Sequence, residues 1–317
     1  MAEGQGYAAY AGIGVQSTLG TNVTRTRFID FISEGVELQE QQRPWNNAGE
    51  SGQRINTELG RHSEGPIEVF GNFEGLESFF KAAFGLNSVT TANPAGSAFT
   101  HTYALKDSVK SPGLSLEINR DVTAFLYEGC QIEEVDFMQD SADYLKVRFQ
   151  FRGRDETQVS ATSPTFATAL KVHHSQLTCK VATVATVLNS FRVNLKNGLT
   201  GFRAQLGDKV TREIIRGGKR TVSGEVNLQF EDQTRYNEFK ALTNVALEFK
   251  YVGAVITGAE TYQFKLNLPQ VNWTGRTPSV GGPGPIAFSM PFMAYMTTRG
   301  ANDELALFIE NTLTSVT

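Results

Sequence analysis

Four histidines, His62, His101, His173 and His174, are the chain's whole supply of imidazole, so metal or general-base chemistry would have to be built from them. None sits in an HExxH frame. On a strand the adjacent pair His173-His174 would send its rings to opposite faces, so surface histidine is the expected state and no metal site is read. Cys130 and Cys179 are too few for a zinc cluster or a disulfide framework and are expected reduced and buried. No GxSxG elbow, P-loop or GxGxxG opens a helix after a strand, and "GGPGP" at 281–285 reads as a turn. Carboxylates are plentiful, as in "QIEEVDF" and "FEDQ", and a pair of them could hydrolyse a glycosidic bond. Against that, Glu133 and Glu134 are neighbours and should face opposite sides of a strand, while Glu74 and Glu231 stand at expected helix starts, where a carboxylate complements the dipole. No catalytic residue and no cofactor are expected. The N-x-[ST] frames at Asn22 and Asn272 matter only in a secreted protein. "MAEGQGYAAYAGIGVQ" has no basic n-region, and no apolar run reaches the roughly 20 residues that span a bilayer, so neither export nor a membrane is expected.

With no chemical anchor, organisation carries the reading. A chain of 317 residues, 40% hydrophobic and 20% charged, has room for two cores of ordinary globular type. The net charge of −4 is unevenly shared: residues 1–160 carry 22 acids and 13 bases, residues 161–317 carry 11 and 16. Halves of opposite sign suit modules that meet each other or each other's copies. They do not suit a nucleic-acid binder, which concentrates its bases in a stripe.

The chain also repeats itself. "EGPIEVFGNFEGLESFFKAAFG" at 64–85 returns as "SGEVNLQFEDQTRYNEFKALTN" from 223, with Glu68-Val69 matching Glu225-Val226 and Phe80-Lys81-Ala82 matching Phe239-Lys240-Ala241. A step of about half the chain is tandem duplication rather than a solenoid period. "SEGVELQEQQ" and "NSFRVNLKNG" alternate as half-buried strands, and each is followed by some twenty polar residues before the strand "IEVFGNF" or "GEVNLQF". A short helix comes next, with Leu76, Phe79, Phe80 and Ala83 on one face, and less cleanly Tyr236, Phe239, Lys240 and Leu242. Further strands complete each half. In "YLKVRFQFRG", Leu145, Val147, Phe149 and Phe151 alternate with Lys146, Arg148, Gln150 and Arg152, and the second copy keeps Ile286, Phe288, Met290 and Phe292. The Ser-, Thr- and Ala-rich stretch 156–170 reads as a linker. The expected fold is mostly β (α+β): two tandem modules, 1–158 and 159–317, each a β-sandwich or partial barrel with one packed helix and a long strand-to-strand loop.

These features resemble the tail tube proteins of long-tailed bacteriophages in their duplicated form. The opening "GIGVQSTLGTNVTRTRFIDFISEGVELQEQQ" is similar to the start of the larger members, and the close combines a Leu-Pro-x-Val segment, a Gly-Pro turn and a final strand near Asn-Thr. The resemblance implies a structural virion protein, assembled in the host cytoplasm, that stacks as rings into a hollow tube. Its implied partners are further copies of itself, the tape measure protein, the tail terminator and distal tail proteins, and DNA in transit without sequence-specific binding. Two modules per chain imply a trimeric, pseudo-hexameric ring in which sheet edges close on one another.

On that footing Glu68, Asn72, Glu225, Asn227 and Gln229 are lumen candidates, since a neutral to negative wall would let DNA slide. Lys146, Arg148 and Arg152 argue for the opposite face, unless acids of a neighbouring module pair with them. Arg43, Trp45 and Asn46 in one long loop, and Phe202, Arg203 and Arg212 in the other, are candidates for ring-to-ring contact, as are the arm 1–27 and the tail 305–317. A different class stays open: a soluble carbohydrate-binding or adhesin-like β-sandwich pair, which should cluster aromatics on an exposed face. A tail terminator is a neighbouring structural reading.

Overall fold

The computed structural model of the chain describes residues 5–44, 51–52, 55–85, 88–94, 96–106, 113–168, 170–199, 201–203, 206–230, 233–275, 277–278, 282 and 286–315, with backbone alone at 201–203 and 287. The N-terminal half runs β1 (Tyr10–Val15), β2 (Arg27–Ile29), β3 (Ser33–Glu34), β4 (Glu37–Pro44), β5 (Asn56–Phe70), α1 (Glu77–Ala83), β6 (Ser88–Ala92), β7 (Phe99–Ala104), β8 (Leu114–Asn119), β9 (Ala124–Asp140), β10 (Lys146–Gly153) and β11 (Asp155–Val159). The C-terminal half runs β12 (Leu177–Val181), β13 (Val184–Thr186), β14 (Ser190–Lys196), β15 (Gly201–Arg203), β16 (Glu213–Ile215), β17 (Thr221–Gln229), α2 (Thr234–Lys240), β18 (Val245–Thr257), β19 (Glu260–Trp273), β20 (Ala287–Ala294) and β21 (Ala306–Asn311). The fold is mainly β, and its sheet does not close on itself. No helix among the described residues is long and apolar enough to cross a membrane.

Period-two alternation decides the strands. In β10, Val147, Phe149 and Phe151 are fully buried while Lys146, Arg148, Gln150 and Arg152 reach solvent, and β20 buries Phe288, Met290 and Phe292 in the same way. In the first half the polar residues expected as a loop are strand at both ends, 43–44 in β4 and 56–62 in β5. β5 starts at Asn56 and pairs with β4 from Pro44↔Asn56 to Glu37↔Glu64, a hairpin arm whose alternating Gln and Glu keep both faces wet. In the second half, among the described residues, the short hairpin β15–β16 forms.

The two helices differ. Leu76, Phe79, Phe80 and Ala83 are all buried, and Gly85, in the left-handed region at φ +86, ends α1 by donating to the Ala82 carbonyl at 3.2 Å. The face expected on the second helix is only partly formed. Tyr236 and Phe239 are half-buried, whereas Lys240 is exposed and Leu242, at φ 50, lies beyond the helix. Glu74 does not serve the helix dipole either: its carboxylate accepts from the Thr312 backbone and hydroxyl. Glu231 lies outside the described residues.

The antiparallel order β3–β5–β10–β9 in the first half is matched by β14–β17–β20–β19 in the second. The two sets are joined edge to edge, because β9 pairs with β14 from Asp140↔Ser190 to Glu134↔Lys196. A second layer holds β2–β1–β8–β9 and β13–β12–β18–β19–β21, the latter continued by β7 and β6. β9 serves both layers, since 124–128 pair with β11 and 131–138 with β10. Its register against β10 shifts at Gln150/Phe151, which leaves Glu133 unopposed as a bulge.

One core lies between the layers and takes residues from both halves. Phe80 of α1 stacks on Phe137 (centroids 5.9 Å apart) and touches Phe149, Tyr103 and, from β19, Phe264. Phe73, Phe79, Phe84, Phe151 and Phe249 are buried as well, which is the core reading of the phenylalanines and not an exposed aromatic platform. Cys130 and Cys179 are free and buried, and burial pushes the Cys179 thiol up to about 12.

Candidate functional site: a charged sheet face and its open edges

The face of β3–β5–β10–β9–β14–β17–β20 turned away from the core is polar, and ladder register fixes its rows. One row reads Glu68, Arg148, Asp136, Asn194, Ser223, Met293; the next reads Phe70, Lys146, Met138, Arg192, Glu225, Pro291. Glu68 and the bases of β10 therefore share one face, so a lumen reading of that face depends on carboxylates that pair with the bases. The β5–β10 register sets Glu68 opposite Arg148 and Glu64 opposite Arg152.

Four of the bases are paired where they stand, while Arg148 is exposed. Lys146 meets Asp143 at 2.7 Å, Arg152 meets Glu133 at 2.5 Å, Lys196 meets Glu134 at 3.5 Å and Arg192 meets Asp136 at 2.8 Å. The last two cross from one half to the other. Arg192 is the more telling: its side chain is 54% exposed, while the Asp136 side chain it caps is 2% exposed. That hydrogen-bonded carboxylate raises the Arg192 pKa above its ordinary value. Asn194 donates to both Glu134 and Asp136 at 2.5 Å. Glu133 and Glu134, expected on opposite faces, line the same depression with Asp136 and Arg152 because the bulge turns Glu133 over.

The lumen candidates divide. Glu225 and Gln229 are exposed on β17, where Ser289 donates to Glu225 and Asn227 donates to the Ser190 hydroxyl at 2.8 Å. Glu68 lies on the same continuous face. Asn72 sits past the end of β5, bridged to Lys171 and so covered by the connection between the halves.

Of the loop candidates, Arg43 and Arg212 are exposed; Phe202 and Arg203 are described as backbone in β15 only, and Trp45 and Asn46 lie outside the described residues. The structure brings the two loops together. The Arg61 amide donates to the Lys209 carbonyl at 2.9 Å, Lys209 meets Glu58 at 3.1 Å, and Arg154 donates to the Thr211 carbonyl at 2.8 Å.

A buried polar knot was not expected. Asn311 on β21 donates to Glu77 at 2.8 Å and to the Phe73 carbonyl at 3.0 Å, and it pairs with His101 at 2.9 Å, whose other nitrogen meets Thr90. Burial raises Glu77 to about 7 and lowers His101, so both favour their neutral forms there. His101 is thus a core residue and not surface histidine; the only hint in the sequence was the closing Asn-Thr pair. Among the described residues no group of three or more His, Cys, Asp or Glu could hold a metal ion.

The sheet ends openly. Among the described residues β3 and β4 pair with β5 on one side only, and past β19 the segment from Thr274 continues beside β20, its amide donating to the Pro291 carbonyl at 2.8 Å. No curated protein matches the chain. A protein family does: the one described as phage tail tube protein matches residues 6–294. A mainly β chain matched over nearly its whole length, with a charge-balanced sheet face and open edges, belongs to the phage tail tube protein family and is a structural component of the virion tail.

Proposed function

We propose that the halves, 1–158 and 159–317, act as two equivalent modules and that three chains close into a pseudo-hexameric ring, rings then stacking into the tube. The β9–β14 ladder carries this reading. It joins the last strand of one four-stranded set to the first strand of the next, so the same join made between chains would set β3 and β4 of one copy beside the segment after Trp273 of its neighbour. Edge strands of this kind must be covered or used. Three chains would bring about 24 strands to the barrel, more than the roughly 16 to 18 that already leave an aqueous channel.

The charged face would line the lumen. With four of its bases engaged by carboxylates and Arg148 the exposed exception, it offers DNA phosphates few counterions to displace and lets the duplex slide. The tape measure protein would occupy the same channel before the genome, and the tail terminator and distal tail proteins would cap the stack. The hairpin arm β4–β5 with the loop it carries is the candidate ring-to-ring contact, while part of the loop at 199–218 is already engaged with that arm inside one chain.

The test is direct. Negative-stain images of concentrated protein should show stacked rings with a mass of three chains each; six chains per ring would overturn the two-module reading. In a Ser33→Cys/Thr274→Cys variant, both positions being exposed, a short bifunctional thiol reagent should link neighbouring chains in assembled protein and not in monomer.

A further inference from the structure

The join between the halves has a second part beyond the β9–β14 ladder. Strands β19 and β21 of the C-terminal half lean over α1 of the N-terminal half. Phe264 packs against Phe80 with centroids 5.9 Å apart, and Tyr262 lies 5.9 Å from Phe73. Asn311 donates to Glu77 at 2.8 Å and to the Phe73 carbonyl at 3.0 Å. Phe73, Phe80 and Phe264 are each at most 2% exposed.

The ladders give the covering residues counterparts in the N-terminal half. Ile118 opposes Phe125 as Tyr251 opposes Phe264, and Gln158 opposes Phe125 as Ile309 opposes Phe264. Phe125 therefore stands where Phe264 does, β11 where β21 does, and Thr123 where Tyr262 does. On the covered side the repeat matches Phe73 with Phe230 and Phe80 with Phe239. Each of these counterparts is less enclosed. Phe125, Phe230 and Phe239 are half-buried, Gln158 is exposed, and Val122, in the turn between β8 and β9, is 72% exposed. No residue of α2 is buried, and among the described residues β11 pairs with β9 alone. The chain thus carries one completed join inside it and, at its two ends, the separate sides of a second one.

We propose that in the assembled protein α2 and Phe230 of one copy are covered by Phe125, the turn Arg120–Thr123 and β11 of the next copy. The occupant follows from chain order: within the chain each helix-bearing side is covered by the half that comes after it, and after the C-terminal half comes the N-terminal half of a neighbour. The halves that would meet carry opposite net charge. Composition fits as well. The buried Leu307 and Ile309 of the internal join are replaced by Glu156 and Gln158, and Glu77 and Ser78 of α1 by Tyr236 and Asn237. A join inside one chain is permanent, whereas surfaces that wait in water for a partner stay more polar. The proposal rests on the ring reading above and adds to it a contact that the strand ladder alone does not require.

The experiment uses Val122→Cys/Gln233→Cys in the full chain; both positions are exposed, and Cys130 and Cys179 are buried and give little background. With a short bifunctional thiol reagent, assembled protein should form covalent oligomers ending at the trimer, at roughly tenfold or more the yield of unassembled protein, because assembly holds the two thiols at high effective concentration. A second measurement uses Asn237→Cys, exposed on α2 where its counterpart Ser78 is 1% exposed; its thiol should react with a maleimide in the monomer and lose that reactivity on assembly. If rings form and Ser33→Cys/Thr274→Cys links, while Val122→Cys/Gln233→Cys does not and Asn237→Cys stays reactive, this proposal is overturned and the ring stands. If no pair links and no rings form, both fall.

Discussion

Helices α1 and α2 come after matching strands in the two halves, yet they do different work. α1 is wedged between the layers, with Glu77, Ser78, Phe79, Phe80, Ala82 and Ala83 all buried, whereas no residue of α2 is buried. The cause lies in the segment downstream of each helix. After α2 the chain passes within a few residues to β18, but after α1 it makes the hairpin β6–β7, which pairs with β21 from the other half and brings Tyr103 and His101 over the helix. A repeated sequence has thus produced one helix that joins two halves and one that lies along the outside. The environment, more than the helical pattern itself, sets what each copy contributes.

The largest expected effect breaks that contrast at its centre. Phe80→Ala should destabilise by about 3–5 kcal/mol and Phe239→Ala by about 1 kcal/mol or less, read as shifts in the urea midpoint at constant slope. Equal losses would mean that α2 is as deeply held as α1. Next comes the knot under α1. Asn311→Ala leaves Glu77, His101 and the Phe73 carbonyl short of a partner, and about 2–3 kcal/mol should be lost.

Glu77 adds a pH signature of known sign. Its folded pKa of about 7 lies above the ordinary 4.5, so the folded state holds its proton longer than the unfolded state does. This contribution is therefore constant below about 4.5, falls as pH rises towards 7, by up to about 1.4 kcal/mol per pH unit, and is flat beyond. Subtracting the stability curve of Glu77→Gln should isolate that fall; parallel curves for the two proteins would refute it. The smallest effect is at the join of the halves. Arg192→Ala should cost at most about 1 kcal/mol in thermal or urea unfolding, because its guanidinium is mostly in water.

Much of this was legible from local pattern. The alternation of Val147, Phe149 and Phe151, the apolar face of α1, the buried cysteines and the repeat itself depend on neighbours in sequence, and each stands in the structure. What escaped depends on partners far away. The bulge at Glu133 exists only relative to β10, and the burial of His101 depends on Asn311. Likewise nothing in "ATALKVHH" marks Val172 as a paired residue until Gly71 and Leu145 are beside it. On the charged face, the sequence supplied acids and bases but not the register that makes them neighbours. The β4 side of the hairpin arm was announced by "SEGVELQEQQ", but the first residues of β5 from Asn56 were read as loop, because Leu59 is the one large apolar residue of 56–64 and no alternation marks a strand.

The pairing of β7 with β21 also sets a clock. His101 and Asn311 are 210 positions apart, so at about 5–20 residues per second a nascent chain carries β7 with one edge unpaired for on the order of 10–40 seconds. α1 first lacks both Phe264 against Phe80 and its Asn311 partner, then Asn311 alone, and the N-terminal half waits, incompletely roofed, for the last strand to arrive.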